Sequence, residues 1–380
     1  MGRVRKAVRV VFKVLGVMLV VLLVALVPLA LVVSHDSPCA PAPALPGDAT
    51  AMKAMVHRCY GSPDVLKLER IEKPVPADDQ VLVKVRAAAV NPLDFHYLRG
   101  TPYLVRLESG LGAPNNPRLG VDFAGTVEAV GKNVTRFRPG DAVFGGRTGA
   151  FAEYVTVRED RAIVPKPANV TFEQAAAVPI AAITALQALR DKGKVRAGQK
   201  VLVNGASGGV GTFAVQIAKS YGAEVTGVCS GKNADLVRAI GADHVIDYTR
   251  EDFTKGAQHY DLIVDMVATH SLLEYARVLN PQGKVVIVGG PSGNWLIGML
   301  GSWIYTRMVS PFVSQESSMM LAEFNQGDMA VLADLLRTGK VKPVIDRTYK
   351  LSELPEALKY LELGHARGKV VVSLEDSNEP

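Results

Sequence analysis

Residues 201–211 read Val-Leu-Val-Asn-Gly-Ala-Ser-Gly-Gly-Val-Gly, an apolar strand that runs straight into a glycine-rich turn, and helical spacing resumes from Thr212 to Lys219. Glycine is needed where a chain bends tightly and lets its backbone N–H groups approach a pyrophosphate at the positive end of the following helix. Strand, turn and helix arrive in the order that a dinucleotide-binding unit requires, which makes Ser207, Gly208, Gly209, Val210 and Gly211 candidate cofactor residues. A purely structural turn is the competing reading of this stretch taken alone.

The strand after that helix, Glu224 to Val228, ends in Cys229, Ser230, Gly231 and Lys232. An NAD-selective site would set an acidic residue there against the ribose 2′-hydroxyl. Here a hydroxyl and a cation stand in its place, a pair suited to a 2′-phosphate, so Ser230 and Lys232 predict a preference for NADPH. The plain alternative for Lys232 is a solvated lysine at a helix start.

The 380 residues exceed a single typical core, and two domains are expected. From Met52 the chain reads as short strands punctuated by Gly and Pro (54–59, 66–70, 80–90, 121–130), as in a small, partly open barrel. After Pro167 the pattern changes to a helix over 171–189 capped by Thr171, and then to strand–helix alternation from Lys200 to Val288. That rhythm predicts an α/β fold with a parallel sheet and crossover helices. Helices at 329–336 and 354–363 and a last strand at 369–374 close the chain.

A formal charge of +6 looks basic, but residues 1–51 hold five basic against two acidic side chains, so nucleic-acid binding gains no support. Cys39, Cys59 and Cys229 are widely spaced and predict neither a disulfide framework nor a zinc lobe. Residues 14–33 form an unbroken apolar run of transmembrane length, preceded by Arg3, Arg5, Lys6, Arg9 and Lys13. The run predicts a single-pass N-terminal anchor followed by a Pro/Ala-rich linker to residue 51. The positive-inside rule would turn the enzyme outward, whereas the need for NADPH places the catalytic domain on the cytoplasmic side. A cleaved signal peptide, or a soluble unit that begins at Met52, stays open beside the anchor.

Tyr60-Gly61-Ser62-Pro63, Asn91-Pro92-Leu93-Asp94, Gly120-Val121-Asp122-Phe123-Ala124-Gly125, the turn 205–211, Asp247-Tyr248 and Gly364-His365-Ala366-Arg367-Gly368-Lys369 occur in one order along the chain. Through them, residues 52–374 resemble a medium-chain dehydrogenase/reductase of the zinc-free quinone-oxidoreductase branch. The resemblance implies a GroES-like, β-rich catalytic domain over 52–177 completed by 313–380, and a Rossmann NADPH-binding domain over 178–312. It also implies roles. Asn91 and Asp94 would shape the floor beside the nicotinamide, Thr184 would touch the ring, and Tyr248, His365 and Arg367 would serve the cofactor. Tyr103 would supply a proton, with His96 and Tyr97 as competing donors and a packing role for Tyr103 as the plain reading.

Zinc-dependent relatives carry a cysteine ligand where Asn91 stands and a histidine ligand where Val121 stands, so no metal is expected. The implied activity is NADPH-dependent reduction of a quinone or an α,β-unsaturated carbonyl compound. An enoyl-thioester reductase and a non-catalytic NADPH-binding interaction protein are the alternatives. The apolar segment 295–313 predicts a covering partner, either a second copy in a homodimer or a membrane surface that supplies a lipid-dissolved quinone.

Overall fold

The computed structural model describes residues 27–45, 50–289 and 313–374. Its first sheet is built around Gln80–Val90 (β3), whose apolar side chains pack on both faces of the strand. Strand β1 (Ala51–Val56) pairs separately with β2 (Lys67–Glu72). A seven-stranded sheet runs β14-β15-β3-β4-β5-β7, with β6 also on β3. Here β4 is Asp122–Val130, β5 Ala142–Gly146, β6 Tyr154–Arg158, β7 Ile163–Pro165, β14 Ile345–Lys350 and β15 Lys369–Ser373. The antiparallel register of β15 on β3 sets Val370 opposite Val90, and therefore brings Lys369 to the level of Asn91, where helix α1 (Pro92–Arg99) begins.

The second sheet has six strands, all parallel, in the order β10-β9-β8-β11-β12-β13. Its strands are β8 (Lys200–Asn204), β9 (Glu224–Cys229), β10 (His244–Asp247), β11 (Tyr260–Asp265), β12 (Leu279–Ile287) and β13 (Glu316–Met319). In chain order this is 3-2-1-4-5-6, the doubly wound arrangement that opens a crevice where the order reverses, between β8 and β11. The expected Rossmann sheet is thus present.

The helix expected over 171–189 is two helices, α2 (Phe172–Ala176) and α3 (Pro179–Gln187). Pro179 has no N–H to continue a helix but suits the first turn of a new one. Thr171 caps α2 as expected, in a reciprocal pair with Gln174. Small residues, among them Ala175, Ala181, Ala182 and Ala185, bury these helices against α4 (Gly209–Ser220) and the first sheet, so the main core is continuous between the two sheets.

Two expectations about the N-terminal region are corrected. No helix among the described residues is long and apolar enough to cross a membrane, so the membrane-spanning helix, the membrane as a partner and the single-pass localisation do not stand. Residues 14–26 of the expected span lie outside the described residues, and its described remainder, 27–33, is helical. The stretch after it docks instead of serving as a free linker. Val33 is buried, the Ser37 N–H donates to the Gly112 carbonyl, and Cys39 forms a disulfide with Cys59, which overturns the expectation of unpaired thiols. Spacing gives no hint of this bond, because it depends on the path the strap takes across the folded domain. The segment 295–313 lies, up to residue 312, outside the described residues.

Candidate active site

Four polar side chains meet at the N-terminus of α1, and all four are buried: Asn91, Asp94, Asp122 and Lys369. Asp94, three residues into α1, accepts the Asn91 backbone N–H at 2.8 Å and the Gly120 N–H at 3.2 Å. The Asn91 side chain turns away from its own helix. Its Nδ2 donates to the Ala89 carbonyl at 3.1 Å and to Asp122 Oδ2 at 3.0 Å, and its Oδ1 accepts a hydrogen bond from the Lys369 ammonium. Both N–H bonds of that carboxamide are spent inside the protein, so Asn91 builds the floor and has no donor left for an acceptor oxygen.

Asp122 Oδ1 accepts the Ile180 N–H at 2.9 Å in the first turn of α3, the end of a helix that favours an anion. Lys369 Nζ lies 3.7 Å from Asp122 Oδ2 and also donates to the Val90 carbonyl at 3.3 Å. Two buried carboxyls therefore share one buried ammonium. Burial raises Asp94 to about 7, with the Asp122 charge adding to the rise and the Asn91 N–H and Lys369 opposing it. Burial likewise raises Asp122 to about 6 against the pull of Lys369, and lowers Lys369 against the pull of both carboxylates.

The glycine-rich turn faces this cluster across the junction of the two sheets. The Gly368 N–H donates to the Ser207 carbonyl at 2.9 Å, and Gly208 and Gly368 form an isolated parallel bridge. A Cβ on Gly209 would lie 3.2 Å from Cδ of Lys369. Within the turn, a Cβ on Gly211 would come within 2.0 Å of the Gly205 carbonyl oxygen, so only glycine closes it. The residues fit a dinucleotide. Asn233 donates to Ser207 Oγ at 3.1 Å, while its buried Oδ1 has no hydrogen-bond partner among the described residues, an acceptor left over beside the turn.

Ser230 is buried at the end of β9, whereas Lys232 is exposed and the Tyr248 ring is 58% exposed. Sequence reasoning missed the neighbour of this pair. Asp247 Oδ2 sits so close to Gly231 that a Cβ there would lie 2.4 Å from it, and the same carboxylate accepts from the Thr249 hydroxyl and pairs with Arg250 at 3.5 Å. Thr184 lies one turn beyond Ile180 in α3, and its hydroxyl donates to the Ile180 carbonyl at 2.6 Å, close to the Asp122 contact. His365 and Arg367 are exposed on the turn before Gly368, and the Arg367 N–H donates to Asp346.

Tyr103 opens the short helical turn Tyr103–Val105 beyond α1. It follows the cis Thr101–Pro102 bond, and its ring stacks against the guanidinium of buried Arg106, 4.6 Å away. The same guanidinium lies 4.4 Å from the centre of the Tyr60 ring. Arg106 further donates to the Gly100, Val33 and His35 carbonyls and to Asp36, so the N-terminal strap holds the loop that carries Tyr103. A buried carboxylate on β11 was also not foreseen. Asp265, at the end of β11, accepts from Asn204, from the N–H groups of Val267 and Ala268, and from Tyr275, and so fixes the rim of the crevice.

The donor set does not suit zinc. At the two positions where zinc-dependent relatives carry ligands stand a fully committed carboxamide and a valine without donor atoms, and the nearby carboxyls already hold an ammonium. Among the described residues no cluster of three or more His, Cys, Asp or Glu is arranged to bind a metal.

Residues 77–168 match the family model of the alcohol dehydrogenase GroES-like domain, and residues 240–372 match that of the zinc-binding dehydrogenase. The chain is 33% identical to the mitochondrial NAD(P)H oxidoreductase RTN4IP1 of Mus musculus, over 86% of this chain and 90% of that protein. It is 36% identical to the chloroplastic NADPH-dependent alkenal/one oxidoreductase of Arabidopsis thaliana, over 84% of this chain and 79% of that one. Among solved structures, the quinone oxidoreductase from Coxiella burnetii aligns with a TM-score of 0.74 at 31% identity, over 86% of this chain and 100% of that chain.

Proposed function

The chain belongs to the medium-chain dehydrogenase/reductase family of NAD(P)H-dependent oxidoreductases, and we propose that within it the protein is a zinc-free, NADPH-preferring reductase of quinones or α,β-unsaturated carbonyl compounds. One observation carries this reading. The glycine-rich turn and the Asn91–Asp94–Asp122–Lys369 cluster meet at the Gly208–Gly368 bridge, so the turn that would hold a dinucleotide stands beside a floor of hydrogen-bonding groups.

When bound, the cofactor supplies a hydride. The backbone N–H groups of Ser207 and of Gly209 to Gly211, at the start of α4, would hold its pyrophosphate, while the Gly208 N–H closes the turn on the Gly205 carbonyl. Ser230 and Lys232 take the 2′-phosphate, with the Asp247 charge engaged by Thr249 and Arg250. Tyr248, His365 and Arg367 flank the cofactor from the solvent side, and Thr184 bounds the nicotinamide. Asn91 and Asp94 form the floor that orients the acceptor. Reduction of a conjugated carbonyl is completed by a proton, for which Tyr103 is the proposed donor.

The test is consumption of NADPH and of NADH, each offered with a short quinone, a small enone and a crotonyl thioester. Turnover of quinone or enone with NADPH preferred is the expected result. Reduction of the thioester alone makes the protein an enoyl-thioester reductase, and binding without turnover makes it a nucleotide-binding interaction protein. Tyr103→Phe with undiminished turnover removes that residue from the mechanism.

A further inference from the structure

We propose that Lys369 is a positioning residue whose ammonium sets both the orientation of the Asn91 carboxamide and the charge of the floor beneath the acceptor, tied to the cofactor turn through its neighbour Gly368. This rests on the functional reading above and deepens it. The chain spends much to place a cation here. Lys369 is 3% exposed, and an ammonium loses its hydration on burial unless anions and acceptors replace the water.

The groups facing it come from three elements. Asn91 and Asp94 come from α1 and its cap, Asp122 from β4, and the Val90 carbonyl from the end of β3. Asn91 Oδ1 faces the ammonium, which leaves Nδ2 for Asp122. A carboxamide rotated by half a turn would set its NH2 against Lys369 and its oxygen against Asp122, two repulsive contacts in place of two attractive ones. Lys369 thus dictates which way Asn91 points.

The charge argument is separate. Two carboxyls and one ammonium in a buried site cannot all be ionised without a net negative charge, so the cluster keeps a proton near neutral pH. The link to the glycine-rich turn is short, one hydrogen bond and one peptide bond. Gly368 is hydrogen-bonded to Ser207, the next residue is Lys369, and the lysine stem packs against Gly209, the first residue of α4. The glycine-rich turn and the ammonium are therefore held by two adjacent residues.

The experiment compares the full chain with Lys369→Met, which keeps the stem and removes the charge, and with Lys369→Met/Asp122→Asn, which removes one charge of each sign. Melting temperature, NADPH binding by fluorescence, and kcat and KM for a short quinone are recorded from pH 5 to 9. In Lys369→Met the carboxyls lose their cation. The expected result is an upward move, by about one pH unit or more, of the profile that they set in kcat and in NADPH binding. Near pH 7 kcat falls about fivefold with quinone KM within about twofold, since raising a group that titrates at about 7 by one pH unit takes its ionised fraction from about one half to about one tenth.

The double variant recovers melting temperature but not kcat. A Lys369→Met protein that folds and keeps its kcat, or one that loses kcat with both profiles unmoved, overturns the proposal, the second outcome marking a merely structural lysine. Should the unaltered protein reduce neither quinone nor enone, the functional reading fails. The present proposal is then judged on the NADPH-binding profile alone, and an unmoved profile overturns it.

Discussion

Asp94 carries a linkage between pH and stability that can be worked out with its sign. Burial lifts its folded-state pKa to about 7, above the 3.8 of a free aspartate, so the folded protein holds this proton more tightly than the unfolded chain does. The stabilisation is fully present below about pH 4 and is lost as pH rises towards 7, where the buried carboxyl must ionise. Asp94→Asn cannot ionise. It keeps one acceptor for the Asn91 N–H but turns its NH2 towards the Gly120 N–H, so it is expected to melt lower than the parent at pH 5. The gap should narrow by pH 8, by about 2–4 °C for each kcal/mol of ionisation cost removed. A gap of constant size across that range would mean that Asp94 is not the titrating group. Lys232 supports a simpler prediction. Exposed and beside Ser230, it should matter only to a 2′-phosphate, so Lys232→Ala is expected to weaken NADPH binding about tenfold, the equivalent of roughly 1.4 kcal/mol, and to leave NADH within about twofold. Equal losses for both cofactors would leave the 2′-phosphate unread by this lysine.

At the scale of single elements, the docked strap makes a largely exposed stretch of the chain a structural one. Arg106 is 2% exposed, and three of its acceptors, the Val33 and His35 carbonyls and the Asp36 carboxylate, belong to the strap. Asp36 is 60% exposed on its side chain, so the ion pair itself contributes little and the buried carbonyl contacts matter more. The Cys39–Cys59 bond closes a loop of 20 residues, for which loop entropy suggests about 3 kcal/mol. Reductant should therefore lower the melting temperature of the parent, and Cys39→Ser should melt low with or without it. A melting temperature indifferent to reductant would show that the strap is not held by this bond. Local signals in the sequence were reliable where an element is decided by its neighbours in the chain. The strand, turn and helix from Lys200 onward, β3 over Gln80–Val90 and the Thr171 cap are all where the pattern put them. Contacts that span the chain left no such trace. Lys369 meets Asn91 across a separation of 278 residues, Arg106 reaches Val33 across 73, and nothing in the spacing of either pair shows it. A basic residue set between an apolar strand and a glycine, as in Gly368-Lys369-Val370, was the one visible sign that a buried partner had to exist.

For the whole molecule, the question is what makes two sheets act as one enzyme. Gln216, buried in α4, exchanges two hydrogen bonds with the backbone of Lys342, and Gly368 is bonded to Ser207, so the nucleotide-binding sheet is fastened to the other at two points on one side of the crevice. Gly368 is the more demanding of these. Its φ is +93°, and a Cβ there would fall 2.3 Å from the Val344 carbonyl oxygen, which already accepts the Lys369 N–H. Gly368→Ala must therefore both strain the backbone and push β15 away from Ser207. Gly364, four residues earlier on the same turn, has a φ of +72° and open space where its Cβ would go. Gly364→Ala pays only the left-handed strain, about 1 kcal/mol, and serves as the control. Both variants are expected to melt lower than the parent. Only Gly368→Ala is expected to lose NADPH affinity, by about tenfold or more, because only there does the strain separate the glycine-rich turn from the segment that backs it. If the two variants lose affinity equally, or if neither does, the bridge is a packing contact and the cofactor site is complete within the parallel sheet alone.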